Sequence, residues 1–321
     1  MYSIASSVSR PSGDGRLASA AQSVFIGVAL AVSELNFAAP AHSESPFATA
    51  VVSYVPGSGA APGYGNPLVA LGSPERFTGE GLFPQTVTPF QPAFLQNEIV
   101  SLGVGGSLVL AFDHDVLDDP RNPFGVDLLV FGNAFATDAA SPAGVVGGLF
   151  SEGGAISLSA DGVTWIPVPG VAADGPFPTL GYVDVAPYAT SPGSVPTDFT
   201  RPVNPSLGGP ELIGVPWAEL VMAYDGSGGG TGIDFRALGI DRVRYVRIEG
   251  NVLFGSSPEI DAVADVSPVE PNPDLNGDGV VNAADLAILL GAWGPGPSSS
   301  DLSGDDAVNA RDLAILLGAW S

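Results

Sequence analysis

Six residues near the C-terminus, Asp274, Asn276, Asp278, Val280, Asn282 and Asp285, stand at positions 1, 3, 5, 7, 9 and 12 of one acidic loop. The Asp and Asn side chains and the Val280 carbonyl make a donor set of hard oxygens, which suits a divalent cation, calcium above all. Gly279 at position 6 stands where such a loop must turn sharply. The scheme recurs 27 residues later as Asp301, Ser303, Asp305, Ala307 (again through its carbonyl), Asn309 and Asp312. After each loop comes the same nonapeptide, Asp285 to Trp293 and then Asp312 to Trp320, without change. The bland reading is an Asp/Asn-rich turn that caps a helix through Asp285 or Asp312. Two loops in register before one repeated nonapeptide argue against it.

The elements that hold these oxygens follow from spacing. Leu286, Leu289, Leu290 and Trp293 fall at helical intervals, as do Leu313, Leu316, Leu317 and Trp320. Two short helices with matching apolar faces are expected to pack on each other, which neither would do alone. The ligand positions are those of an EF-hand loop with Asp in place of the final Glu.

The single helix after each loop, the terminal Asp and the tandem order resemble a dockerin type I domain over residues 274–320. That resemblance implies Ca2+ in both loops and attachment of a secreted protein to a surface or complex through a cohesin-like or other anchoring partner. Two departures bear on the partner. Cohesin-reading dockerins usually carry Ser-Thr-like pairs where this chain has Ala283-Ala284 and Ala310-Arg311, and a basic pair where it has Leu289-Leu290 and Leu316-Leu317. The resemblance thus extends to calcium more fully than to a cohesin, and a surface-anchoring variant of the dockerin describes the tail better.

Ahead of this tail, short strands are expected at 50–54, 98–102, 107–112, 126–131, 155–159, 164–168, 242–249 and 260–266, between Gly- and Pro-rich turns. Leu108, Leu110 and Phe112 alternate with Val109 and Ala111, so that strand is apolar on both faces and belongs inside a sheet. In the last strand Ile260, Ala262, Ala264 and Val266 are expected on one face, with Asp261 and Asp265 opposite. Asp161-Gly162 reads as a turn, with Trp165 packing in the core. The stretches 136–154 and 170–214, rich in Gly, Pro and Ser, read as long loops that offer Phe150, Phe177, Tyr182, Tyr188 and Phe199 as candidate ligand contacts. The expected fold is mainly β, a jelly-roll-like β-sandwich over 47–266. A linker at 267–273 then leads to the small α-helical tail at 274–321. Residues 105–113, 126–133, 159–165 and 260–263 resemble phrases of bacterial secreted cell-surface proteins, which implies a jelly roll akin to discoidin-like, galactose-binding modules.

Composition narrows the function. The chain has 34 acidic and 10 basic residues, all ten of them Arg, for a net charge of −24. So acidic a chain is repelled by phosphate backbones and anionic bilayers, so neither nucleic acid nor a membrane surface is expected as partner. Cysteine is absent and His42 and His114 are the only imidazoles, which removes thiol chemistry and disfavours zinc and Ser-His-Asp hydrolases. Arg10 and Arg16, the apolar run 24–32 and Ala39-Pro40-Ala41 are ordered like a signal peptide over residues 1–41, without a run long enough to span a bilayer. Asp113, His114, Asp115, Asp118 and Asp119 form an acidic cluster that reads first as a solvated loop and second as a cation site. Asp127 and Asp261 sit in apolar strands with no partner assignable from sequence.

The reading that results is a secreted or cell-surface protein without enzymatic activity, an adhesion or polysaccharide-binding sandwich with a calcium-loaded tail. The alternative is a polysaccharide-acting hydrolase or lyase. A glycosidase needs two carboxylates about 5 to 9.5 Å apart across a cleft. Glu152, Glu211, Glu219, Glu249 and Glu259 are available, but their spacing makes no pair.

Overall fold

The computed structural model describes residues 44–321 apart from 252–256, 269–270, 297 and 304–306. The leader expected at 1–41 and the ligand expected at Asp305 lie outside the described residues.

The strands that build the body are β1 (Ala50–Val55), β2 (Val100–Ser101), β3 (Ser107–Leu117), β4 (Leu128–Gly132), β5 (Gly153–Ser159), β6 (Ile166–Asp174), β7 (Thr231–Ile233), β8 (Arg242–Glu249) and β9 (Glu259–Asp265). They form a five-stranded sheet in the order β1-β3-β8-β5-β6 and a four-stranded sheet in the order β7-β4-β9-β2. Every neighbouring pair in both is antiparallel. Only β5 and β6 follow one another within a sheet. Every other connection crosses between sheets, the alternation expected of a jelly roll.

The two sheets meet face to face. Leu108, Leu110, Ile156, Leu158, Val246 and Ile248 of the larger sheet pack against Leu128, Val130, Ile260 and Val263 of the smaller. β3 lies between β1 and β8, an interior position, and Val109 and Ala111 on its outer side are buried as well. The smaller sheet is also buried on its outer face, where Leu129, Phe131, Ala262 and Ala264 pack with Phe199. That explains the unbroken apolar run of β4, which has no solvent side.

Three expectations are corrected. In β9, Ile260 pairs with Gly132 and Ala262 with Phe131, so Asp261 is the extra residue of a β-bulge. The bulge flips the alternation, and Ile260 faces the sandwich core while Ala262 and Ala264 face outward. Trp165 belongs to no part of the core; its ring lies half-buried beneath the Arg247 guanidinium, 4.6 Å from carbon to centroid. The stretch 136–154, which reads as loop, contains a hairpin of Phe135–Asp138 with Val146–Phe150. This hairpin and α1 (Trp217–Tyr224) enclose a core of their own with Phe90, Phe177, Leu180 and Leu212.

In the tail, α2 (Ala283–Gly291) and α3 (Ala310–Gly318) follow the two acidic loops. Leu289 and Leu316 are fully buried with Leu302 and Val308 between the repeats. Leu290, Trp293, Leu317 and Trp320, expected on the packed face, stay about half exposed. A helix turns about 100° per residue, so one helix partner covers Leu289 and leaves Leu290 on the flank. Among the described residues no helix is long and apolar enough to cross a membrane.

Candidate metal centre

The first acidic loop winds around its position-1 carboxylate. Asp274 Oδ1 accepts the N–H groups of Gly277 (2.9 Å) and Asp278 (3.1 Å), and Oδ2 accepts that of Gly279 (2.8 Å). Gly279 has φ 85°, a left-handed conformation that any side chain would strain. Asn276 Oδ1 accepts from the Asp278 amide at 2.9 Å, and Asp278 Oδ1 accepts from the Val280 amide at 2.9 Å. Consecutive loop oxygens are thus each held by the amide two residues on, which orients them without a side-chain partner from outside.

Asn282 does two jobs. Its Oδ1 accepts the Ala284 N–H at 2.8 Å as the N-cap of α2, and its Nδ2 donates to the Val280 carbonyl at 3.3 Å. Asp285, three residues into the helix, closes the loop: Oδ1 accepts the Asn276 amide at 3.1 Å and Oδ2 the Asn282 amide at 2.8 Å. The caps are therefore Asn282 and Asn309, with Asp285 and Asp312 the reciprocal members of a capping box. The backbone hydrogen bond from Asn282, with those from Asn276 and Leu275, holds the Asp285 carboxyl below the usual range.

At its helix start the second loop repeats the contacts of Asn282 and Asp285. Asp312 Oδ1 accepts the Ser303 amide and Oδ2 the Asn309 amide, both at 2.7 Å. Asn309 Oδ1 caps α3 through the Arg311 amide at 2.8 Å, and its Nδ2 donates to the Ala307 carbonyl at 3.2 Å. Ser303 Oγ donates to Asp301 Oδ1 at 3.3 Å. Asp285 and Asp312 are both completely buried. The C-terminal residue ties the repeats together, Ser321 N–H donating to the Val281 carbonyl at 3.1 Å.

In kind, these groups fit calcium: carboxylate, amide and hydroxyl oxygens on a loop pinned by its own backbone. Among the described residues, however, no group of three or more acidic or imidazole side chains is arranged to hold a metal ion. The loop carboxylates are turned onto backbone amides instead.

Several other acidic residues have partners of their own. The 113–119 cluster divides into separate contacts. His114 is clasped by Asp113 and Asp265, each at 2.9 Å. Asp115 accepts from Arg244 at 2.8 Å, and Asp119 pairs with Arg121 at 2.7 Å. Asp127 is fully buried, its carboxylate accepting from the Asp119 and Phe235 amides and from Asn122 Nδ2, so it fastens two loops to the start of β4. Asp261, on the bulge, accepts the Glu75 amide at 3.2 Å, and burial pushes its carboxyl well up.

One grouping is invisible in the sequence. Glu152 lies near Glu259 and the buried Asp174, and its pKa is pushed up to about 8 by burial first and then by Glu259 and Asp174. These residues come from strand ends 107 positions apart, and neither has a neighbour that signals the pairing. Of the aromatic residues expected as contacts, Phe177 and Phe199 are buried, Tyr188 donates to Asp138 at 3.1 Å, and Tyr182 lies 6.0 Å from the Arg76 guanidinium. Phe150 stays half exposed, stacked on Phe135 with centroids 5.1 Å apart. The Gly226–Gly230 run is architectural: a Cβ on Gly228 would sit 2.0 Å from the Phe199 ring.

No curated protein matches the chain. Residues 272–318, the two loops with their helices, match the family model of the Dockerin type I domain, which makes the C-terminal tail dockerin-like and leaves the sandwich outside the match.

Proposed function

We propose that the chain is an exported, surface- or complex-anchored binding protein, whose sandwich engages a ligand while the dockerin-like tail, folded around two calcium ions, attaches it. The observation that carries this reading is the duplicated loop, with Asp285 and Asp312 buried at equivalent positions and held by equivalent amides. Asp274, Asn276, Asp278, the Val280 carbonyl, Asn282 and Asp285 hold the first ion. Asp301, Ser303, Asp305, the Ala307 carbonyl, Asn309 and Asp312 hold the second. Calcium supplies a charge that draws the loop carboxylates together and fixes the helix starts.

The hydrolase reading would draw on Glu152 and Glu259, neighbouring acids of which Glu152 is pushed up in pKa by burial, Glu259 and Asp174. A glycosidase pair must in addition flank a cleft that admits the sugar bond or a water. The reading proposed is a sandwich that binds without cutting. The ligand class that suits such an exported module is polysaccharide.

Cell fractionation tests the anchoring. The full chain is expected on the outer surface, released into the medium by a calcium chelator, with Asp285→Ala/Asp312→Ala recovered in the medium from the start. Surface retention that survives both treatments contradicts the proposal.

A further inference from the structure

α2 and α3 differ at one position: Ala283–Gly291 reads AADLAILLG and Ala310–Gly318 reads ARDLAILLG, so Ala284 is replaced by Arg311. Arg311 is the only basic residue after position 247. Beyond the capping Asp and Arg311, neither helix has a polar side chain to offer solvent, yet their outer faces are exposed. A helix apolar on all sides normally has those sides covered.

The structure sets one of these faces opposite the sandwich. A groove of about 670 Å3 has Leu117, Asp118, Asp119 and Arg121 on one side and Arg311, Ala314 and Ile315 on the other. Leu117, at the end of β3, is 55% exposed. The tail's lone cation thus shares the groove with Asp118 and the Asp119–Arg121 pair, a lining with one net negative charge, and the apolar Ile315 shares it with an exposed Leu. Asp119 is held below its usual range, chiefly by the hydrogen bond from Arg121, with Arg311 adding to it.

We propose that the second repeat docks its α3 face onto the 117–121 loop of the chain's own sandwich, so that two nearly identical helices become unequal, α3 turned inward and α2 left for an outside partner. The charge complementarity selects the repeat, since α2 offers Ala284 where α3 offers Arg311. The dock rests on a calcium-folded tail and on no outside partner, so it stands or falls separately from the anchoring reading.

The absence of cysteine makes a direct test simple, because two introduced thiols are the only ones. In calcium, the full chain carrying Pro120→Cys and Ala314→Cys is treated with a short bis-maleimide, and the chain carrying Pro120→Cys and Ala287→Cys serves as the control. Ala287 is the α2 equivalent of Ala314. Intramolecular cross-linking read by peptide mass mapping is expected to be several-fold higher in the first pair; equal yields, or more in the second, overturn the proposal. Small-angle scattering gives a thiol-free reading. Arg311→Ala, which makes the two helices identical, is expected to enlarge the radius of gyration in calcium, and an unchanged radius overturns the dock.

Discussion

Asp285 and Asp312 stand 27 residues apart and make the same two contacts, each joining the amide at loop position 3 to the amide at position 9 from a fully buried carboxylate. Each therefore welds its loop to the first turn of its helix. A ligand that uses these carboxylates acts on loop and helix at once, so metal binding and tail folding are linked.

Loop geometry orders the two sites. Gly279 has φ 85°, and a Cβ there would meet nothing within 4 Å, so Gly279→Ala costs backbone strain alone, about 1 kcal/mol or several-fold in calcium affinity. The equivalent residue in the second loop is Asp306, outside the described residues. The second loop has the extra carboxylate, but the first is expected to bind more tightly because glycine meets the turn without strain. Calorimetry should show Gly279→Ala weakening one site and Asp306→Gly tightening the other. Tighter binding by the unaltered second loop refutes the ordering.

His114 fastens β3 to the end of β9 through Asp265 and also contacts Asp113. Burial opposes its protonation, but hydrogen bonds to the two carboxylates, with Glu44 nearby, outweigh it and raise the pKa above 6.5. A raised folded pKa means the clasp contributes fully below the unfolded value of about 6.5 and is lost as pH rises through the folded value. The thermal midpoint of the wild type is expected to exceed that of His114→Gln most at low pH, with the gap closing on the alkaline side. A gap that widens with pH contradicts the assignment.

Glu152 works in the same direction for a different reason. Its carboxyl, pushed up to about 8 from 4.5, stays protonated in the fold while the unfolded chain releases the proton. Stability therefore falls between those two pH values. Glu152→Gln removes this dependence, so the variant is expected to gain on the wild type as pH rises toward 8, as read by denaturant midpoints.

Arg76 holds the long 175–230 segment over the smaller sheet. Its Nη1 donates to the Gly181 carbonyl at 2.6 Å and Nη2 to the Thr197 carbonyl at 2.8 Å, while the guanidinium lies 3.9 Å from the Phe199 centroid. Arg76→Leu takes the donor from the Thr197 carbonyl and leaves the Gly181 carbonyl to Thr197 alone, at a cost of about 2 kcal/mol. Limited proteolysis should then cut first within that segment.

The tail's loop–helix pairs are legible in the sequence because their signal is local: acidic spacing, glycine turn and apolar spacing all lie within one repeat, and the repeat occurs twice. Strand positions are legible for the same reason, since alternation is a property of neighbours. The face assignment of β9 fails at Asp261 because one inserted residue reverses a period of two, and only the partner strand shows the insertion. The place of Trp165 is hidden because its companion, Arg247, lies 82 residues away on another strand. The exposure of Trp293 and Trp320 is hidden because helical spacing gives an apolar stripe but not how much of it one partner helix covers. The Glu152–Glu259 pair is wholly tertiary.

Calcium titration of the full chain, followed together by calorimetry and far-ultraviolet circular dichroism, tests the central claim most directly. Two ions per chain are expected, with helical signal gained as they bind and lost on chelation. Asp285→Ala and Asp312→Ala should each remove one ion. Full helical signal in chelator with no heat of binding, or a stoichiometry unchanged by both substitutions, would contradict the account.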